Sequence, residues 1–163
     1  MKTLLEQING QLMAYDDLWA SQVRDTFCRK QEDIKTTQNR FFSQYWQGYA
    51  WAAILGFIKN RSRDLDSKTK NSSFRFQVIS NQSPRIANAL VLMAIAKSGK
   101  DIEVVKEPEV LAKIISEYAK GGAEFIKEVR ETPGMENYFD SEDDFRNELL
   151  DRTGYTNDEE ESR

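Results

Sequence analysis

Apolar residues recur every three or four positions along most of the chain, and this spacing predicts helices. Leu5, Ile8, Leu12, Tyr15, Trp19, Val23 and Phe27 form the first stripe. It predicts one long helix over residues 3–32, interrupted by Gly10 at a cost of about 1 kcal/mol against alanine. The seam of Leu5, Ile8, Leu12, Tyr15 and Trp19 suits a helix packed within the chain's own bundle, or a contact between copies. A second helix, over 37–59, is crowded with aromatic side chains. Phe42, Trp46, Tyr49, Ala53 and Phe57 make one stripe; Phe41, Tyr45, Ala52 and Leu55 begin another. A helix apolar on more than one side is buried around most of its circumference. An aromatic ladder could also stack nucleobases, but the aliphatic residues that continue these stripes favour a core.

Residues 59–73 are polar and rich in Ser, Asn and charge, the composition of a loop. Phe74, Phe76 and Val78 then alternate with Arg75 and Gln77, predicting a short strand over 73–79. This strand has no evident partner in the chain, so it reads as an extended segment or an edge completed by another subunit. Ser83 as N-cap, Pro84 at the first helical position and Gly99 as a stop frame a third helix. The fourth starts near Pro108 and keeps its 3.6-residue period through Gly121 and Gly122 to Val129. Its small residues Ala119, Gly121, Gly122 and Ala123 allow another backbone to approach closely. A last helix, over 142–152, is capped by Ser141, with acidic residues in its first turn as the helix dipole favours. The expected fold is therefore mainly α, a bundle of about five helices with at most one short extended segment. A single domain is expected over 1–152, and a frayed acidic tail over 153–163.

A chain of 163 residues can bury enough surface to fold without a disulfide or metal. Histidine is absent, which removes the commonest general base and the commonest zinc ligand. Cys28 is the only cysteine, so no intrachain disulfide can form, as suits a reducing compartment. Its basic neighbours Arg24, Arg29 and Lys30 could lower a thiol pKa, but a lone cysteine beside Phe27 reads as packing. The start has no apolar run of secretory-signal length, and no stretch approaches the roughly 20 apolar residues that span a bilayer. The expectation is a cytoplasmic protein without membrane contact, without cofactor and without a bound metal.

The net charge of −4 is unevenly spread. Residues 1–58 are neutral, 59–85 carry +5 and 86–163 carry −9. The basic island comprises Lys59, Arg61, Arg63, Lys68, Lys70, Arg75 and Arg85. Together with its Ser and Asn residues it could bind phosphate oxygens of a nucleic acid. It could equally dock on an acidic protein face, including the chain's own acidic part, or be a solvated loop. Within it, Asp64, Asp66 and Lys68 offer two carboxylates and a lysine that could hold magnesium beside a phosphodiester. The bland alternative is a loop with local ion pairs. Asp16-Asp17 reads as an exposed helix face, since the usual di-metal partner motif requires histidine. No Gly-rich phosphate loop is present.

From Trp46 to Glu128 the layout resembles the DndE family of bacterial DNA-phosphorothioation systems. The resemblance rests on an apolar helix (Tyr49 to Ile58), a Phe-containing segment (Phe74-Arg75-Phe76), the run Ile86 to Ile95, and Tyr118-Ala119-Lys120-Gly121-Gly122-Ala123 in a final helix. It covers about half the chain and includes no diagnostic motif. It implies a helical protein without a recognised catalytic centre that self-associates and meets DNA through basic residues. The resulting expectation is a non-enzymatic adaptor that self-associates or joins a larger assembly, such as a bacterial DNA-modification or defence complex. A protein partner is expected first and a nucleic acid second. The alternative is a small metal-dependent phosphodiesterase using Asp64, Asp66 and Lys68.

Overall fold

The computed structural model describes residues 2–28, 42–65, 74–139 and 141–150, and the chain is mainly α. Its centre is the aromatic helix α4 (Tyr45–Lys59), in which Trp46, Tyr49, Ala50, Trp51, Ala52, Ala53, Leu55 and Phe57 are buried. Such a helix must be covered on several sides, and the rest of the chain is arranged around it. A capping box between Gln44 and Gln47 opens α4, and Asn60, in the left-handed region at φ 53°, closes it. Residues 37–41, expected in the same helix, lie outside the described residues.

The first apolar stripe does not form one helix. It is divided into α1 (Leu4–Ile8), β1 (Leu12–Met13), α2 (Asp17–Trp19), a π-helical turn (Ala20–Arg24) and α3 (Asp25–Phe27). The break at Gly10 has a local cause. Glycine is a poor helix former, and Asp16 starts a new helix by accepting from the backbone N–H groups of Leu18 and Trp19. Asp16 is therefore a buried cap rather than part of an exposed face.

The expected lone strand is also revised. Phe74–Arg75 forms β2, and it pairs antiparallel with β1 of the same chain, Leu12 opposite Arg75 and Met13 opposite Phe74. From Phe76 the chain is helical, as α5 (Phe76–Gln82). Alternation required Val78 to point inward, but it is exposed; the buried residues are Phe76, Ile79 and Ser80, a helical set. The N–H of Phe76 donates to the Gln11 carbonyl and that of Gln77 to the Asn9 carbonyl, fastening α5 to the end of α1.

The later helices follow the sequence closely. In α6 (Pro84–Lys97), the Ser83 hydroxyl accepts from the Ile86 N–H, and Gly99 follows at φ 69°. A 3-10 turn (Ile102–Lys106) leads to α7 (Pro108–Glu131), unbroken across Gly121 and Gly122. Helix α8 (Glu142–Leu150) docks through Phe145, whose ring centre lies 4.4 Å from that of Trp51. Phe27, Phe42, Trp51, Phe139 and Phe145 form an aromatic cluster of mostly edge-to-face pairs. This cluster holds Phe139 at φ 75°, an uncommon conformation for a bulky residue.

The contact between α4 and α7 is made backbone to backbone. A Cβ on Gly122 would overlap the Ala52 carbonyl, one on Gly56 the Tyr118 carbonyl, and one on Gly121 the Arg61 carbonyl. Two polar anchors join the N-terminal segment to this pair. The Tyr49 hydroxyl donates to the Ala14 carbonyl at 2.8 Å and lies 3.0 Å from the Ser116 hydroxyl; its burial raises its pKa, so it stays protonated. Lys120 pairs with Asp16 at 2.7 Å and also donates to the Asp64 carbonyl. The Lys120 side chain is 18% exposed and that of Asp16 8%, so removing one partner leaves the other charge in a poorly solvated site.

Four stability outcomes follow from the structure. Gly122→Ala forces α4 and α7 apart and costs about 3 kcal/mol, the upper range for overpacking. In a domain of this size that lowers Tm by about 6–12 °C. Gly10→Ala, with nothing within 4 Å of the added methyl, stays within about 0.5 kcal/mol of the parent. Lys120→Met costs about 3 kcal/mol in urea unfolding by leaving the Asp16 carboxylate unpaired. Adding Asp16→Asn to Lys120→Met recovers part of that loss, because asparagine still caps α2.

Candidate interaction surface

The basic island divides into two parts with different surroundings. Lys59, in the last turn of α4, pairs with Glu148 of α8 at 2.7 Å, both side chains largely buried. Residues 60–65 then cross α7 as a strap, admitted by the absence of a side chain on Gly121. The Arg63 N–H donates to the Glu117 carbonyl. The Arg61 guanidinium meets Glu128 at 2.6 Å and lies over the Phe125 ring, while Arg63 grips Glu124 with Nε and Nη2 at 2.8–2.9 Å. Lys59, Arg61 and Arg63 are thus neutralised by carboxylates of the same chain, the intramolecular version of docking on an acidic face. Glu117 beside this strap has its pKa raised by burial; Lys113 opposes the rise and Asp64 adds to it.

Lys68 and Lys70 lie outside the described residues. Arg75 on β2 and Arg85 in the first turn of α6 are exposed, and among the described residues no carboxylate pairs with either. The structure therefore does not gather the seven cations on one patch. Three are internal ion pairs, and two stand in solvent at either end of α5.

The alternative catalytic set is not assembled among the described residues. Asp64 is exposed and its carbonyl receives Lys120, whereas Asp66 and Lys68 lie outside them. Among the described residues no group of three His, Cys, Asp or Glu side chains is placed to hold a metal ion. Cys28 is buried, and its Sγ fills the space beside Gly48, where a Cβ would approach to 2.7 Å. Of the expected seam, Ile8 and Trp19 are in the chain's own core, Leu5 and Tyr15 pack against it, and Leu12 is 47% exposed.

A concave apolar feature lies at the other side of α4. A cavity of about 330 Å³ is lined by Phe42, Trp46, Gln47, Ala50, Trp51, Ile54 and Ile86, and it opens to solvent. The Trp51 indole Nε1 is buried and meets no acceptor, a missing bond that costs free energy. Sequence reasoning placed these aromatic residues in the core and missed the groove, because helical spacing does not show where the cover over a stripe stops. It also missed Glu124 and Glu128 as partners of the island. Their signal was present as two acids four apart beside the small residues that mark a close approach.

Comparison with known proteins adds the family. No curated protein and no solved structure matches the chain, and among the described residues no helix is long and apolar enough to cross a membrane. A family model described as DNA sulphur modification system-associated protein 4 matches residues 25–161. This agrees with the resemblance noted from the sequence at the level of the DNA-sulphur-modification system; the likeness to DndE itself stays one of layout. The match takes in α4 through α8, with the strap, the groove and both exposed arginines, and the chain belongs to this family of DNA sulphur modification system-associated proteins.

Proposed function

We propose that the protein is a non-enzymatic helical adaptor that joins a protein component of a DNA-sulphur-modification assembly in the cytoplasm. The observation that carries this reading is the groove between α4 and α6. Small-molecule sites combine an apolar lining with several convergent polar groups, but among the described lining residues Gln47 and the two indoles alone carry polar side-chain atoms. Pockets that take one apolar anchor from a protein partner are built this way, with aromatic walls excluding water around the inserted side chain. The paired state of Lys59, Arg61 and Arg63 supports the same reading, since these cations stabilise the fold of the adaptor itself. The phosphodiesterase alternative receives no comparable support from an arrangement of side chains.

The test uses the full chain and the proteins encoded with it in a DNA-sulphur-modification system. Size-exclusion chromatography with light scattering is expected to show a defined complex with one of them. Ile54→Lys and Gln47→Glu place a charge in the groove, the lysine keeping its alkyl stem packed and the glutamate keeping the acceptor that caps α4. Each is expected to weaken the complex at least tenfold, about 1.4 kcal/mol, with Tm changed by only a few degrees. A chain that stays monomeric with every component, or a complex indifferent to both substitutions, overturns the reading.

A further inference from the structure

Between Asp66 and Asp101 the chain contains no acidic residue, although acids outnumber bases overall. The described part of this stretch builds β2, α5 and α6. Its cations are Arg75, Arg85, Lys97 and Lys100. Lys100 pairs with Glu107, and Lys97 bonds the Asn60 carboxamide and lies over the Tyr118 ring. Arg75 and Arg85 are left, one immediately before α5 and the other two residues beyond its cap at Ser83. Between them Gln77, Val78, Asn81 and Gln82 are exposed on one side of α5, and Asn88 is exposed one turn into α6.

We infer that this face, with Arg75 and Arg85 at its two ends and Gln77, Asn81 and Gln82 between, docks on the backbone of double-stranded DNA. Guanidinium, carboxamide and hydroxyl groups are the side chains that contact phosphates and base edges. The seven-residue α5 spans about 10 Å, close to the roughly 12 Å width of the major groove. Arg75 precedes this helix and Arg85 follows it in α6, so the cations flank the carboxamides, an arrangement in which guanidinium groups take phosphates while carboxamides face a groove. An acidic protein is the less suitable partner. Interfaces of that kind take most of their energy from buried aromatic or aliphatic anchors, and within α5 this face offers only Val78, 37% exposed, with Leu12 opposite Arg75 at its margin. The net charge of −4 does not cancel the local field, because charges farther than about 8 Å are largely screened at physiological ionic strength. The inference is independent of the groove and of the adaptor reading.

Fluorescence anisotropy of the full chain with a labelled duplex of about 20 bp, from about 50 to 200 mM salt, tests it. The wild type is expected to bind with an affinity that falls as salt rises. Arg75→Glu/Arg85→Glu is expected to bind at least tenfold more weakly. Its log–log salt slope should be shallower by about two, one unit for each phosphate that is no longer neutralised. Arg75→Gln/Arg85→Gln should shift in the same direction by less, and serves as the second variant if charge reversal disturbs folding. Arg61→Gln/Arg63→Gln, which removes only internally paired cations, should lower Tm and leave DNA affinity unchanged. Absence of salt-dependent binding by the wild type, or equal binding by wild type and both Arg75/Arg85 variants, overturns the inference. So does polyglutamate that competes as well as DNA, which would assign the face to an acidic protein. Chromatography of the Arg75→Glu/Arg85→Glu variant with the partner component separates the two readings, since a retained complex beside lost DNA binding supports the face, and a lost complex with DNA binding kept overturns it.

Discussion

The approach of α4 to α7 without intervening side chains is the constraint on which the rest depends. At Gly56, Gly121 and Gly122 the neighbouring element presents backbone carbonyls where a Cβ would stand. Helices usually pack about 8–10 Å apart, depending on the side chains at the contact, and glycines permit the short end of that range. Because α7 lies this close, the strap of residues 60–65 can cross it at Gly121, and Lys120 can reach back to Asp16 and the Asp64 carbonyl. The N-terminal segment is thus tied to the central pair through one largely buried charge pair and through the Tyr49–Ala14–Ser116 hydrogen bonds.

That geometry also decides what the charges do. Placing the strap on α7 brings Arg61 and Arg63 against Glu124 and Glu128, and docking α8 brings Glu148 to Lys59. Each exposed pair contributes at most about 1 kcal/mol, so their main effect is on availability. A guanidinium held bidentately by a carboxylate must give up that partner before it can take a phosphate. Among the described residues no carboxylate competes for the cations at the ends of α5.

The groove and the acid-free face meet at α6. Ile86 lines the groove while its neighbour Arg85 stands in solvent. A protein seated in the groove would lie next to the surface proposed to meet DNA, so one helix would carry both contacts of an accessory protein in a DNA-modification assembly.

The sequence by itself determined the fold class, the central place of the aromatic helix, the caps and stops of α6, the continuity of α7 through two glycines, and the start of α8. Each depends on local signals: a 3.6-residue period, a capping serine, a proline at the first turn, a left-handed glycine. It also located an excess of positive charge, and its resemblance pointed to a DNA-sulphur system. Tertiary structure decided the remainder. The stripe from Leu5 to Phe27 keeps helical spacing, yet Gly10 and the Asp16 cap divide it, and every piece finds its own place against α4 and α7. The segment at Phe74 became two residues of strand and then a helix, because its partner, Leu12–Met13, lies about sixty positions earlier in the chain. The pairing of Arg61 and Arg63 with α7 and the opening beside Trp51 arise from contacts between distant residues. Periodicity records which side of a helix is apolar, whereas what covers that side, and where the cover ends, is set by packing across the whole fold.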